Sequence, residues 1–367
     1  KIIALLVGLL ATGMLFGSAD TGASLAPGLQ RVLGTATPDQ FIPVVVLMEE
    51  FPEQQALLDQ ARKLMGDARR TMVVQAMKRL AERSQRPVFS SLSHEADHVR
   101  DIRVLWGING IALKARPDVI RRLASVPGVH KLLHDYALPD PGISRTEGSG
   151  EGPTGGDISG PNPTATIRGE VVAMGADQVW DTLGYTGIGV IVAVIDTGID
   201  RTHPDVADHM WTNLDEIPDN GLDDDGNGFI DDTWGWEFCD DHNDPSGGGH
   251  GLQVAGQVAG DGTDGILTGM APDAELMALG IDCDTPSMGW AASDYALYNG
   301  AHVITQSYSW WWTDQPDYEA FRRQTDTELA AGLIHTNSAG NHGSQMVTYP
   351  IPYNISTPAN CPAPWIH

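Results

Sequence analysis

The stretch Val190-Ile191-Val192-Ala193-Val194-Ile195-Asp196-Thr197-Gly198-Ile199-Asp200 decides the fold. It opens with an unbroken apolar run, the pattern of a parallel strand buried on both faces. Asp196 ends the run, and Thr-Gly then allows a tight turn. Similar short runs recur at 274–281, 301–306 and 333–336, separated by segments of helical length. Strands alternating with helices predict an α/β, doubly wound, mostly parallel sheet, whose crevice lies beyond the carboxyl ends of the strands. Asp196, Ser307 and Asn341 each come at or just after the end of such a run, so one site is expected to hold them.

Upstream the pattern differs. Residues 42–48 read as a strand, 53–83 as helical with Gly66 as a break, and 103–113 as extended. A short helix starts near Pro117, where proline suits a first turn, and a last strand covers 129–134. This order suits a small α+β domain over 40–138. Residues 139–168 are dense in Gly, Pro, Ser and Thr and read as a linker. Charge breaks at the same place: residues 20–140 carry 16 basic and 14 acidic groups, residues 169–367 only three against 31. So acidic a surface argues against nucleic acid, whose phosphates need Lys and Arg, and favours bound cations or simple solvation.

Residues 1–19 combine Lys1, an apolar run from Ile2 to Phe16 and the small residues Gly17-Ser18-Ala19, the arrangement of a secretory signal. The product is therefore expected to be secreted. Export permits one disulfide among Cys239, Cys283 and Cys361, and the sequence leaves all three pairings open.

The chemistry sits in short motifs. A serine hydroxyl attacks a carbonyl only when a base takes its proton, and a buried carboxylate best fixes that base. Asp196 at a strand end suits the carboxylate role. His250, after Gly247-Gly248-Gly249 and at the start of a small-residue helix, suits the base. Asn341, in Ser338-Ala339-Gly340-Asn341, suits a donor to a developing oxyanion. Each alone has an ordinary explanation: a capping aspartate, a solvent-facing histidine, a turn asparagine.

Taken together, V-I-D-T-G-I-D, H-G-L-Q-V-A-G and A-G-N resemble the motifs of the subtilisin-like serine proteases over residues 175–349. The order Asp, then His, is also that family's. The resemblance implies a secreted serine endopeptidase acting on polypeptide substrates, with Asp196, His250 and Asn341 catalytic. It further implies that Ser307, Tyr308 and Ser309 pair with extended substrate and that Gly340 lines the pocket before the scissile bond. Residues 40–138 resemble the family's inhibitory prodomain, so 139–168 is expected to hold the maturation site and 169–367 the peptidase domain. Leu252 and Gln253 replace the family's Thr and second His, and Ser309-Trp310 replaces Gly-Gly. The G-T-S-M-A segment bearing the nucleophile is absent, and the expectation is that the serine lies beyond His367. The rival is a catalytically dead peptide-binding protein, with Leu252, Gln253 and the Trp310–Trp312 cluster in its favour; those tryptophans are expected on the surface.

Between Asp196 and His250 lie 53 residues. Within them, Asp223, Asp225, Asn227 and Asp231 fall at positions one, three, five and nine of a calcium loop, with Gly228 as the turn glycine. Position twelve is Trp234 where a bidentate Glu is usual, so that ligand has to come from elsewhere. The expected cofactor is a structural Ca²⁺.

Overall fold

The computed structural model describes residues 23–136, 138–139, 164–247, 249–283, 285–311, 318–341 and 355–361. The proposed signal segment 1–19 and most of the linker lie outside the described residues. Among the described residues no helix is long and apolar enough to cross a membrane.

The N-terminal unit runs β1 (Ser24–Leu25), α1 (Pro27–Thr35), β2 (Ile42–Met48), α2 (Gln54–Ala61), α3 (Gly66–Ser84), α4 (Arg86–Leu92), β3 (Val99–Leu105), β4 (Gly110–Ala115), α5 (Pro117–Leu123), β5 (Val129–His134) and β6 (Leu138–Pro139). Its five-stranded sheet has the order β1-β5-β2-β4-β3. The stretch expected to be extended over 103–113 is in fact a hairpin, because Trp106–Asn109 turn the chain and Asn109 holds a φ of 48°. Successive β2 residues point to opposite faces. Val44, Val46 and Met48 pack with Leu29, Leu33 and Leu123, whereas Val45 and Leu47 pack with Leu57, Val73 and Met77. That explains why an alternating strand reads as an unbroken apolar run.

The second unit runs β7 (Thr166–Ile167), α6 (Gly169–Met174), α7 (Ala176–Leu183), β8 (Ile191–Asp196), α8 (Pro204–Ala207), β9 (Gly235–Glu237), α9 (Gly249–Ala259), β10 (Ile266–Leu267), β11 (Glu275–Gly280), α10 (Pro286–Tyr298), β12 (Val303–Gln306), β13 (Trp310–Trp311), α11 (Glu319–Ala331) and β14 (Ile334–Asn337). Its main sheet has the order β14-β12-β8-β11-β9, and every pairing in it is parallel. Val192 and Val194 of β8 meet Ala255 and Ala259 of α9 on one face. Ala193 and Ile195 meet Ala292 and Ala296 of α10 on the other. The α/β, doubly wound reading is thus the observed fold. Gln306 stands level with Ile195 and with Asn337, so three strands end on one edge.

The two units share one continuous apolar cluster, which includes Leu57, Val74, Met77 and Trp106 from the first and Trp290, Phe321 and Ala330 from the second. Polar contacts ring it. Arg69 donates to the carbonyls of Leu329 and Ala330 at 2.7 and 2.6 Å, and Arg323 to that of Met48 at 2.8 Å. The Gly107 amide donates to both oxygens of Asp294 at 3.1 Å, and Ser287 donates its amide and hydroxyl to Asp135 at 3.0 and 2.5 Å. Burial raises the Asp135 carboxyl to about 6 and lifts Asp294 well above the usual carboxylate range. Loss of solvation drives both shifts; the hydrogen-bond donors oppose it, and the nearby Glu328 adds to the rise at Asp294.

Cys239 and Cys283 form the disulfide, with Cα atoms 5.9 Å apart, joining the segments after β9 and β11. Cys361 is buried, its thiol 3.8 Å from the Tyr318 carbonyl. Among the tryptophans expected on the surface, Trp310 is instead buried. A Cβ on Gly289 of α10 would stand 2.7 Å from its ring, so glycine there makes the space. Trp312 lies outside the described residues.

Candidate active site

Asp196 closes β8 with its side chain fully buried. The Thr197 amide donates to Asp196 Oδ1 at 2.8 Å. His250 sits in the first turn of α9, and its Nδ1 meets the same Oδ1 at 2.7 Å. Two sequence features make that approach feasible. Gly251, Ala255 and Ala259 form a small buried stripe that lets α9 lie close to the sheet. A Cβ on Gly251 would stand 2.1 Å from the Gly198 carbonyl oxygen, and one on Gly247 only 1.6 Å from that of Thr197. The Gly251 amide also donates to Thr197 Oγ1 at 3.0 Å, fastening the helix to the turn.

The electrostatics follow from this packing. A carboxylate on Nδ1 fixes the ring so that Nε2 is the basic atom. The Asp196 hydrogen bond raises the His250 pKa above its ordinary value, and partial burial opposes that rise. Asp196 Oδ2 is buried without a hydrogen-bond partner. Asp196 is the side-chain partner of His250 among the described residues.

Ser307 through Ser309 continue from β12 on the same sheet edge. Tyr308 and Ser309 are fully buried, and Gln306 Nε2 occupies the Tyr308 carbonyl at 2.9 Å. The Tyr308 hydroxyl donates to the Cys283 carbonyl at 3.3 Å. Pairing with extended chain is seen slightly further on: β13 pairs antiparallel with β6, Trp310 opposite Pro139 and Trp311 opposite Leu138. On its other edge Trp310 exchanges backbone bonds with Thr357 at 2.8 and 3.0 Å. Gly340 takes a φ of 80° after β14, with its amide on Ser338 Oγ at 3.0 Å, and delivers Asn341 exposed beyond the strand ends.

The acidic loop organises differently from the motif's numbering. Asp223 accepts the amides of Asn227 and Gly228 and so closes the turn. Asp231 accepts those of Asn220 and Gly221. The carboxylates that converge are Asp225, Asp232 and Glu216, with ligand atoms within 4.8 Å of one another. Asn227 and Asn213 both donate to Asp225 and Asp232. Tyr295 donates to Asp232 at 2.5 Å, and burial raises that carboxyl to about 6. Glu216 is 6% exposed, and its Oε2 is buried without a partner. An all-oxygen set with an orphaned carboxylate oxygen fits a hard divalent cation. Glu216 lies upstream of the motif, in Asn213-Leu214-Asp215-Glu216, and only its acidity marked it in the sequence.

Residues 187–364 match the profile described as "Subtilase family". Minor extracellular protease Vpr of Bacillus subtilis (strain 168) is 32% identical over 184 residues, covering 46% of this chain and 20% of that protein. Fervidolysin of Fervidobacterium pennivorans is 27% identical over 257 residues, covering 65% of this chain and 33% of that protein. The solved fervidolysin structure, titled as a keratinolytic enzyme related to subtilisin, aligns with a TM-score of 0.45 at 19% identity, over 88% of this chain and 42% of that one. The chain thus spans a third or less of these two curated relatives.

Proposed function

Because residues 187–364 match the subtilase family, we propose that this chain is the front part of a secreted serine endopeptidase precursor. The observation that carries this reading is the Asp196–His250 pair at 2.7 Å on a buried strand end. In it, His250 Nε2 takes the proton from a serine hydroxyl as the oxygen attacks a peptide carbonyl, then returns it to the leaving amine. Asp196 holds the ring and stabilises the imidazolium. Asn341 donates to the tetrahedral oxyanion, a contribution on the order of 10²–10³ in rate for such a donor. The serine is proposed to come from sequence C-terminal to His367.

The groove is read from β13. An extended segment adds to its edge through main-chain bonds, the usual mode for peptides that dock on a sheet edge. That the occupant, β6, is the tail of the N-terminal unit supports residues 40–138 as an intramolecular inhibitor, with maturation within 139–168. Ser307, Ser309 and Gly340 are proposed to border this groove with Tyr308 as its buried support. Calcium is the proposed structural cation, held by Asp225, Asp232 and Glu216, with Asn227, Asp223 and Asp231 shaping the loop around them.

A fluorophosphonate probe tests the central claim. Applied to the polypeptide encoded by the complete gene, it is expected to label one serine, and His250→Ala is expected to abolish labelling. A complete reading frame that gives no labelled serine would favour the peptide-binding alternative, which uses the same groove without the chemistry.

A further inference from the structure

The acidic loop and the N-terminal unit touch one helix at neighbouring residues. On α10, Asp294 accepts the Gly107 amide of the N-terminal unit, and the next residue, Tyr295, donates its hydroxyl to Asp232 of the carboxylate cluster. One helix turn further on, Tyr298 carries Lys78 of α3 at 4.3 Å above its ring, while its hydroxyl reaches the Asp225 carbonyl at 3.5 Å. Phe229, from within the loop, meets Tyr295, Phe238 and Trp236 edge-on with ring centroids 5.0–5.7 Å apart. Arg103 of β3 lies 5.6 Å over Phe238 and pairs with Asp241 at 2.7 Å. The aromatic layer therefore has carboxylates on one side and the docked N-terminal unit on the other.

We propose that cation binding at Glu216, Asp225 and Asp232 is coupled through Asp294-Tyr295 to docking of the N-terminal unit, so that the cation tightens its hold on that unit. This rests on the calcium reading above. The physical reason is local. Three converging carboxylates repel one another, and a cation that draws them together fixes Asp232, hence the Tyr295 hydroxyl and the adjoining turn of α10. Asp294 is then held where the Gly107 amide needs it. A Cβ at Gly107 would stand 2.2 Å from Asp294 Oδ1, so the fit tolerates little displacement. Coupling between binding sites is reciprocal, so docking must also raise cation affinity.

Hydrogen exchange on the full 367-residue chain, with calcium chloride or with a chelator, reads both sides at once. Calcium is expected to slow exchange in the loop 213–233 and, by about tenfold, in the turn 106–109, within the usual range of coupling factors. Tyr295→Phe keeps the ring and removes the hydroxyl. It is expected to leave loop protection in place and to reduce the response of the turn to under about twofold. Protection confined to the loop in the unmodified chain, or an unchanged response of the turn in Tyr295→Phe, overturns the coupling alone. No protection in the loop itself overturns the calcium reading and the coupling with it. A reciprocal measurement covers the case in which Tyr295→Phe fails to fold: Asp294→Asn is expected to weaken calcium binding, measured by calorimetry, by the same factor. An unchanged calcium affinity there overturns the coupling.

Discussion

Two groups of buried or half-buried carboxylates in the second unit face opposite problems. Asp196 has a histidine on one oxygen and a backbone amide beside it. Asp225, Asp232 and Glu216 have each other, two asparagine amides and a tyrosine hydroxyl. A buried charge is tolerated only when paired or well hydrogen-bonded. The first arrangement meets that need with a group that can itself accept a proton, which suits it to acid–base chemistry. Each group leaves one oxygen without a hydrogen-bond partner, Asp196 Oδ2 and Glu216 Oε2; the second differs in meeting the need with neutral donors alone and in converging three carboxylates, which suits a cation. The contrast teaches that carboxylate burial alone does not identify a catalytic residue. The partner does.

The sharpest way to break the first half of this comparison is Asp196→Asn. The amide keeps the shape but favours the wrong tautomer of His250, and the expected loss is on the order of 10⁴-fold in the rate of fluorophosphonate labelling of the complete enzyme. The pH profile adds a signed check. Only neutral His250 serves as the base, so labelling falls as pH drops through its pKa, which Asp196 holds above the ordinary histidine value. In Asp196→Asn that acid limb is expected to move to lower pH. An unmoved limb would mean that another group titrates.

Asp135 extends the comparison to the boundary between the units. Burial raises its carboxyl to about 6 despite the hydrogen bonds from Ser287, which favour the charged form. A raised folded-state pKa stabilises fully below the unfolded value of 3.8 and loses that contribution as pH rises through about 6. Over that window the loss amounts to about 3 kcal/mol at most, at 1.36 kcal/mol per pH unit. Asp135→Asn is expected to flatten the decline in melting temperature of the full chain between pH 4 and pH 6.5, roughly the span between those two values. An equally steep decline in the variant would remove Asp135 as its source.

Calcium tests the second group of carboxylates. At a free concentration about 100 times Kd, a ligand that binds only the folded state adds about 2.7 kcal/mol. Adding calcium to the full chain is expected to raise its melting temperature, and Glu216→Gln to abolish that rise. If Glu216→Gln responds like the unmodified chain while Asp231→Asn does not, the sequence-derived ligand set is the better one.

The strand runs were legible because a parallel strand covered on both faces carries its own signal. Strands expected near 190–195 and 274–281 are found at Ile191–Asp196 and Glu275–Gly280. Asp196 and His250 were legible because each follows a run or glycine cluster that dictates backbone placement. Glu216 was not, since its proximity to Asp225 and Asp232 depends on the path of a loop rather than on spacing. Nor could the sequence choose Cys239–Cys283 among three pairings, or foresee that Trp311 would pair with Leu138, 173 positions away. Such contacts arise between segments whose separation carries no periodicity. The hairpin at 106–109 was missed for a local reason: Gly107 and Asn109 signal a turn, but the apolar residues around them masked it.

The smallest expected effect is at Thr197, where Asp196 and His250 are joined through backbone. Thr197 Oγ1 accepts the Gly251 amide at 3.0 Å, and both residues are buried. Thr197→Val preserves shape and leaves that amide unsatisfied, a cost of about 1–2 kcal/mol in stability. Because Gly251 follows His250 on α9, the same change should loosen the imidazole, and the loss of labelling should exceed what the fall in folded population accounts for. Thr197→Ser, which restores the oxygen, is expected to recover most of both. Stability lost without any change in labelling of the folded fraction would show that the turn supports the helix but does not set the distance between Asp196 and His250.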